Sequence, residues 1–478
     1  MARINTNVSA LIANNNLAKS QSALSQSIQR LSSGLRINSG ADDPAGLIVS
    51  QQLKAEIQGL STAIDNSTQA TNVISTADAA LSEVSNLLIS IKGLVVQAAN
   101  SGAVSSDEIQ ANQLQVDSAI QSITRIANSS SFAGTHLLDG TLGYITSGIT
   151  ASAIHDVNVT NASFGTQTTI PVAINVLQSA QPAELRFQQS SVSVSLSIQV
   201  QGNTGLQILN FTSGTKSSAI AAAVNRVSDS TGVTASIAST TNASSGIIFN
   251  SANFGSSQFV SVSVLTSNGN SNFVTNTVGG ATQNRTTGRD VLATVNGQKA
   301  TGDGDKISLN TPALSLTFNL DKSFGTGKEN FTIIGGGAEF QLGAQVSSNQ
   351  QVSIGIGSVA ASQLGNANDG YLTDIITGGK YNLAANPSQA SKIIDDAITQ
   401  VSELRGRLGA FEQNTLQTNI NSLQVALENV TSSNSTIEDT NFAQETSNLT
   451  RQQVLVQAGT SVLSQANSAP QSVLKLLQ

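Results

Sequence analysis

Residues 44–100 read PAGLIVSQQLKAEIQGLSTAIDNSTQATNVISTADAALSEVSNLLISIKGLVVQAAN, and this run decides the architecture. A seven-residue register passes through Leu53, Leu60, Ser67, Ile74, Leu81, Leu88 and Val95. Its partner positions drift from Ile57 and Ile64 to Ala70, Ala77, Val84 and Ile91, as the mismatch between the helical and heptad repeats requires. Asp43 is placed to cap this helix and Pro44 to open it. At ~1.5 Å per residue the rod is about 84 Å long, more than a compact globule of this size needs.

Upstream, Leu17, Leu24 and Leu31, interleaved with Ile28 and Leu35, make an amphipathic helix within residues 1–40. At the far end Asn386-Pro387 reads as a cap and first residue. It opens a seam of Ile394, Ile398, Val401, Leu404 and Leu408, continued by Leu416, Ile420, Leu423, Leu427, Val430 and Ile437. A last helix after Phe442 carries Leu449, Leu455, Leu463, Val473, Leu474 and Leu477. Two amphipathic rods at opposite termini bury their seams most simply on each other. The spacing therefore predicts rod packing by Leu53, Leu60, Ile74, Leu81, Leu88, Leu416, Leu423 and Val430. Ser105 or Ser106, followed by Asp107-Glu108, is placed to cap a shorter helix through Ile126.

The middle is a different object. Residues 142–337 hold 9 Lys+Arg and 8 Asp+Glu of the chain's 22 and 29, so the acidic excess belongs to the ends. Ten of the 14 Phe lie there, and none precedes Phe132. Alternating runs such as Val192 to Val200, Val233 to Ile237, Ile247-Ile248-Phe249, Phe259 to Leu265 and Ile307 to Leu320 read as antiparallel strands. An Ala-rich helix, Ser218 to Asn225, interrupts them. The fold class expected is α+β multidomain: helical coiled-coil rods from both chain ends and a mainly β central insertion. Gly279-Gly280 is a candidate boundary inside the insertion.

The blocks Gln29-Arg30-Leu31-Ser32-Ser33-Gly34-Leu35-Arg36-Ile37-Asn38-Ser39, Asp42-Asp43-Pro44-Ala45-Gly46 and Gln97-Ala98-Ala99-Asn100 resemble the N-terminal signature of bacterial flagellin. Leu408-Gly409-Ala410, the run Gln457 to Asn467, and Pro470-Gln471-Ser472-Val473-Leu474 resemble its tail. Matching blocks in the right order at both ends cover roughly residues 1–140 and 338–478. The resemblance implies terminal helices 1–40 plus 455–478 in the inner core of a filament. It also implies a rod domain, 41–141 plus 338–454, with a short β region, and a surface-exposed variable insertion, 142–337. The order strand, Ala-rich helix and Gly232-Val233-Thr234-Ala235-Ser236 is similar to the flagellin hook IN motif, near 203–265.

The resemblance further implies self-assembly into the flagellar filament for swimming motility, with filament-core contacts at Leu24, Ile28, Leu31, Leu35, Leu463, Val473, Leu474 and Leu477. The terminal helices are expected to stay disordered until neighbours bury them. Partners implied are other subunits, an export chaperone, the filament cap and hook-junction proteins. The alternatives are a hook–filament junction protein and a flagellin whose insertion is an adhesin. Near the end of the long rod, Leu88, Ile89, Ser90, Gly93, Leu94 and Gln97 correspond to the segment read by a Toll-like receptor. Ser90 stands where recognised flagellins have Arg, which removes several fixed donors.

Composition excludes other classes. The absence of Cys removes disulfides and thiolate metal sites. His136 and His155 lack a second His at helical spacing, so no metal or other cofactor is expected. Nothing marks an enzyme. Gly355-Ile356-Gly357 imitates a dinucleotide fingerprint but lacks its strand–turn–helix unit. Asp303-Gly304-Asp305 falls short of a calcium loop and reads as a turn. Acidic rods argue against nucleic acid. No run of ~18 consecutive apolar residues suggests membrane insertion. The N-terminus Met1-Ala2-Arg3-Ile4-Asn5 lacks the apolar stretch of a cleaved signal. The resemblance therefore places the protein outside the cell, exported through the flagellum's type III channel without cleavage.

Overall fold

A computed structural model describes residues 6–100, 102–165, 167–239 and 246–476, with side chains to Ser468. The helices are α1 (Val8–Ser33), α2 (Pro44–Ala99), α3 (Ser106–Ser129), α4 (Ser217–Arg226), α5 (Ser228–Thr231), α6 (Pro387–Phe411), α7 (Thr418–Glu438) and α8 (Phe442–Leu476). Two compact units divide the chain: residues 1–68, 341–346 and 416–478, and residues 69–340 with 347–415. The break lies within α2 and does not follow the boundaries at 40 and 454 expected from sequence.

Local chemistry explains the helix ends. Helix α1 is shorter than residues 1–40 because Gly34 turns left-handed (φ 75°) and its N–H closes on the Arg30 carbonyl. Asp43 caps α2, its Oδ1 accepting from the Gly46 N–H at 2.9 Å. A Cβ on Gly46 would sit 2.4 Å from the Asp43 carboxylate and 2.8 Å from Ile37 Cδ1, so a side chain there is excluded. Ser105, not Ser106, caps α3 in a reciprocal capping box with Glu108. Asn386 caps α6, with Pro387 at its first turn. Helix α6 reaches α7 through a π-helical segment, Glu412–Gln417.

In the first unit α1 pairs with α8. The connection after α1 is pinned by Arg36, whose N–H donates to the Glu438 carbonyl and whose guanidinium caps the Ile437 carbonyl. Glu438 is buried and accepts from Ser50 Oγ, Lys54 Nζ and Asn434 Nδ2. Burial alone would raise its pKa, but these donors outweigh it and hold the carboxylate below its usual range. That stability is present above about pH 4.5 and is lost as the pH falls.

In the second unit the α2 seam is closed: Ile74, Leu81, Leu88 and Val95, with Ala70, Ala77, Val84 and Ile91, are fully buried. Asp78 pairs with Arg405 and Lys92 with Asp395, tying α2 to α6. An 18-residue window of α2 reaches a mean hydropathy of 1.5, long and apolar enough to cross a membrane by length and composition.

After α3 a two-residue hairpin, β1 (Ser131–Phe132) and β2 (Thr135–His136), turns on Ala133 (φ 49°) and Gly134 (φ 87°). The insertion then begins with β3 (Tyr144–Ser147), β4 (Ile154–Ala162) and β5 (Ile170–Gln178). A second set is nested inside it: β6 (Pro182–Phe187), β7 (Leu196–Gln201), β8 (Leu206–Phe211), β9 (Val233–Ile237), β10 (Ile247–Phe254), β11 (Phe259–Ser267), β12 (Thr275–Thr277) and β13 (Arg285–Thr287). The first set resumes with β14 (Leu292–Val295), β15 (Gln298–Lys299), β16 (Thr301–Asp303), β17 (Lys306–Asn310), β18 (Leu314–Leu320) and β19 (Gly327–Gly336), followed by β20 (Ala338–Gln341) and β21 (Gln351–Ile354).

The outer sheets run β15-β14-β5-β19-β3 and β16-β17-β18-β4; the inner sheets run β12-β6-β10-β9 and β13-β11-β7-β8. Each pair of sheets has its own core, around Phe318 and Phe331 in the outer domain and around Phe187, Phe249 and Phe273 in the inner. The boundary is therefore at Gln181 and Arg289, whose backbones exchange N–H···O bonds of 2.8 and 2.9 Å. Gly279-Gly280, expected from sequence to divide the insertion, instead lies in the turn after β12, inside the inner domain. A glycine pair marks a tight turn as readily as a boundary, and here Gly280 supplies a left-handed φ of 82°.

Candidate self-assembly surface

Helices α1 and α8 bury one narrow seam against each other and leave several large aliphatic side chains outside it. Ala13 and Leu17 are covered. A Cβ on Gly459 would lie 3.2 Å from Leu17 Cδ1, so the glycine lets the two helices approach. Asn7 caps α1 through its Oδ1, which accepts from the Ala10 N–H, while its Nδ2 donates to the Ala466 carbonyl at 2.7 Å. Outside this seam Leu11 is 62% exposed, Ile12 55%, Val454 62% and Val462 57%, with Val8, Ile28 and Leu455 also open. Singly exposed aliphatics are ordinary; this many along one helix pair is an unpartnered surface. Being already about half covered, each side chain gains on the order of 1 kcal/mol if a neighbour buries the rest.

Of the residues expected at filament contacts, Ile28 is exposed, and Leu24, Leu31, Leu35 and Leu463 are half-buried within the chain. Leu35 forms a backbone bridge to Asp439. Val473 and Leu474 lie in α8 beyond the described side chains, and Leu477 lies outside the described residues. Sequence reasoning placed Val454 on the last helix without giving it a filament contact, and missed Leu11, Ile12 and Val462, because it followed one seam per helix and that seam faces the partner helix. Their signal was their place off that seam. The terminal helices were expected to be disordered alone; α1 and α8 are helical and paired here, because Leu17 and Gly459 give them an intramolecular partner.

Among the expected rod residues Leu60, Ile74, Leu81, Leu88 and Leu416 are buried, while Leu53, Leu423 and Val430 are half-buried. In the receptor-like segment Leu88 faces the core, Leu94 is half-buried, and Ile89, Ser90, Gly93 and Gln97 are exposed. Gly355-Ile356-Gly357 is extended backbone with no helix after it, bonded to the Thr160 and Leu142 carbonyls. Asp303-Gly304-Asp305 is the β16–β17 turn. Among the described residues no group of three His, Cys, Asp or Glu is placed to hold a metal.

One carboxylate on α6 is held against its charge. Burial, with Asp369 and Asp395 behind it, pushes the Asp396 carboxyl up to about 6, although Asn366 Nδ2 donates to it at 2.6 Å. Between its ordinary value and pH 6 the folded chain keeps a proton that the unfolded chain has lost. Stability is therefore lost as the pH rises through this window. Asp396→Asn keeps an acceptor for Asn366 and removes the charge. Because solvent screens part of the field, the gain expected is about 1 kcal/mol at pH 7, vanishing near pH 4. Thermal denaturation at the two pH values checks it; equal gains at both would contradict it.

The family model of the bacterial flagellin N-terminal helical region matches residues 4–142, and that of the C-terminal helical region matches residues 391–477. The chain is 31% identical to a flagellin of Salmonella typhimurium, covering 99% of both chains. The chain belongs to the bacterial flagellin family. A B-type flagellin of Pseudomonas aeruginosa is 30% identical, again over 99% of both chains. This flagellin is a structural subunit of the extracellular flagellar filament that drives swimming motility. The hook–filament junction and adhesin alternatives are not favoured, since relatives named flagellin match from end to end. The flagellin hook IN motif matches residues 195–253, against the 203–265 expected, and falls on β7 to β10 with α4 in the inner domain.

Proposed function

We propose that subunits polymerise through the paired helices α1 and α8, whose open side chains are buried by neighbouring copies in the inner layer of the filament. The observation that carries this is the exposed apolar surface of Leu11, Ile12, Val454 and Val462 beside an intact intramolecular seam. The same patch cannot face itself across a closed dimer and also build a filament; head-to-tail contact, which does not close, is required. The insertion 142–337 faces solvent in this reading. The subunit acts without catalysis and leaves the cell through the flagellum's own channel uncleaved, with an export chaperone, the filament cap and junction proteins as partners. Seeding purified chain with filament fragments, then viewing it by electron microscopy, tests polymerisation: long uniform filaments are expected, and short rings or monomers would overturn it.

Toll-like receptor activation is expected to be weak. Leu88 is inaccessible, and Ser90 offers the exposed face of α2 one hydroxyl, itself bonded to the Asn86 carbonyl, in place of a guanidinium fork. A reporter-cell dose response matching that of a strongly recognised flagellin would contradict this.

A further inference from the structure

A cavity of about 550 Å³ opens in the second unit between α6 and the β16-β17-β18-β4 sheet. On the sheet side one rung carries Asn158, Thr317 and Ser308, adjacent across three strands. The register supplies them: β18 pairs Thr317 with Asn158 of β4 on one side and with Ser308 of β17 on the other. Facing them, α6 presents Gln400, Glu403 and Arg407, at helical spacing.

The charged groups of this cavity are satisfied, with one exception. Asp156 is held in a left-handed conformation (φ 55°), and its carboxylate takes Asn319 Nδ2, the Ala367 N–H and the Tyr371 hydroxyl, with His155 Nδ1 beside it. Glu403 reaches Lys306 at the rim. Gln400 is spent on the Gly365 backbone, accepting its N–H and donating to its carbonyl. Arg407 alone has no hydrogen bond and no ion pair among the described residues, and its Nε is buried without a partner. Burial lowers its pKa, with Glu403 opposing only in part. A desolvated guanidinium is costly until an oxyanion meets its fork.

We infer that this cavity binds a small sugar acid, with Arg407 clamping its carboxylate and the Asn158, Thr317 and Ser308 row taking its hydroxyls. A simple anion would leave the polar row unused, and a neutral sugar would leave the guanidinium without a counter-charge. The size of the cavity is that of ordinary small-ligand sites. The carboxylate could arrive as a free sugar or at the end of a glycan; both present the same group.

The test is calorimetric titration of the full-length monomer with glucuronate, methyl glucuronide, glucose and acetate. Saturable binding of glucuronate is expected, at least tenfold tighter than that of glucose or acetate. Methyl glucuronide binding equally would point to a glycan terminus, and much weaker binding to the free sugar; both keep the site. Arg407→Gln should weaken glucuronate at least tenfold with an unchanged thermal melt. If that variant melts early, Thr317→Val with Ser308→Ala, on the opposite wall, should give a similar loss. No saturable glucuronate binding, binding of glucose as tight as glucuronate, or indifference to both sets of substitutions would each overturn the inference. Polymerisation is not the readout, so failure here leaves the assembly reading standing.

Discussion

A chain ending at Val454 stays monomeric under conditions in which the intact chain polymerises. The truncation removes most of α8, and with it the intramolecular partner of α1. Leu17 loses Gly459, Asn7 loses the Ala466 carbonyl, and Val462 leaves the open surface. Most of the stability of a helix in a protein comes from the packing of its amphipathic face, and α1 loses the partner that Leu17 and Asn7 contact. Both faces of the assembly surface are lost at once, so the effect expected is complete, while the outer and inner β domains melt as before. Sedimentation of intact and truncated chains after seeding checks it, and filaments from the truncated chain would refute the role given to α8.

Phe187→Ala destabilises the inner domain of the insertion without preventing polymerisation. Phe187 is fully buried on β6, stacked on Phe273 with ring centroids 4.4 Å apart and with Phe249 completing the cluster. Truncating a buried Phe costs about 3–5 kcal/mol. In a domain of this size that moves a melting transition by roughly 15 °C or more. The inner core shares no member with the outer one, and the chain passes between them only at Gln181 and Arg289. Calorimetry should show one transition moving while the others hold. If all transitions moved together, the two cores would be a single cooperative body.

The rods were legible in the sequence because helical periodicity records burial directly. From Leu60 onward each position of the heptad through Val95 is buried, including the polar Ser67. The caps at Asp43 and Asn386 were equally legible, since the residue that starts a helix supplies the bond itself. The nesting of the insertion was not. Strand alternation gives the existence of β7, β9, β10 and β11 but not which strands share a sheet, and pairs such as Gln178 with Leu292 are set by long-range register. The assembly surface was half-legible: a seam that faces its own partner helix and a seam left for another copy carry the same residue types. Arg407 was invisible as a site, because only the fold shows that its neighbours are already engaged.

The most direct test of the assembly claim is electron microscopy of Ile12→Asp, Val462→Asp and the double variant, each seeded as the intact chain is. These side chains are open in the subunit, so helix content and melting temperature should be unchanged. A buried charge at a subunit contact costs several kcal/mol in each copy, so no filaments are expected from the double variant. Filaments of normal length from a folded double variant would contradict the account, and would place the subunit contacts elsewhere than on α1 and α8.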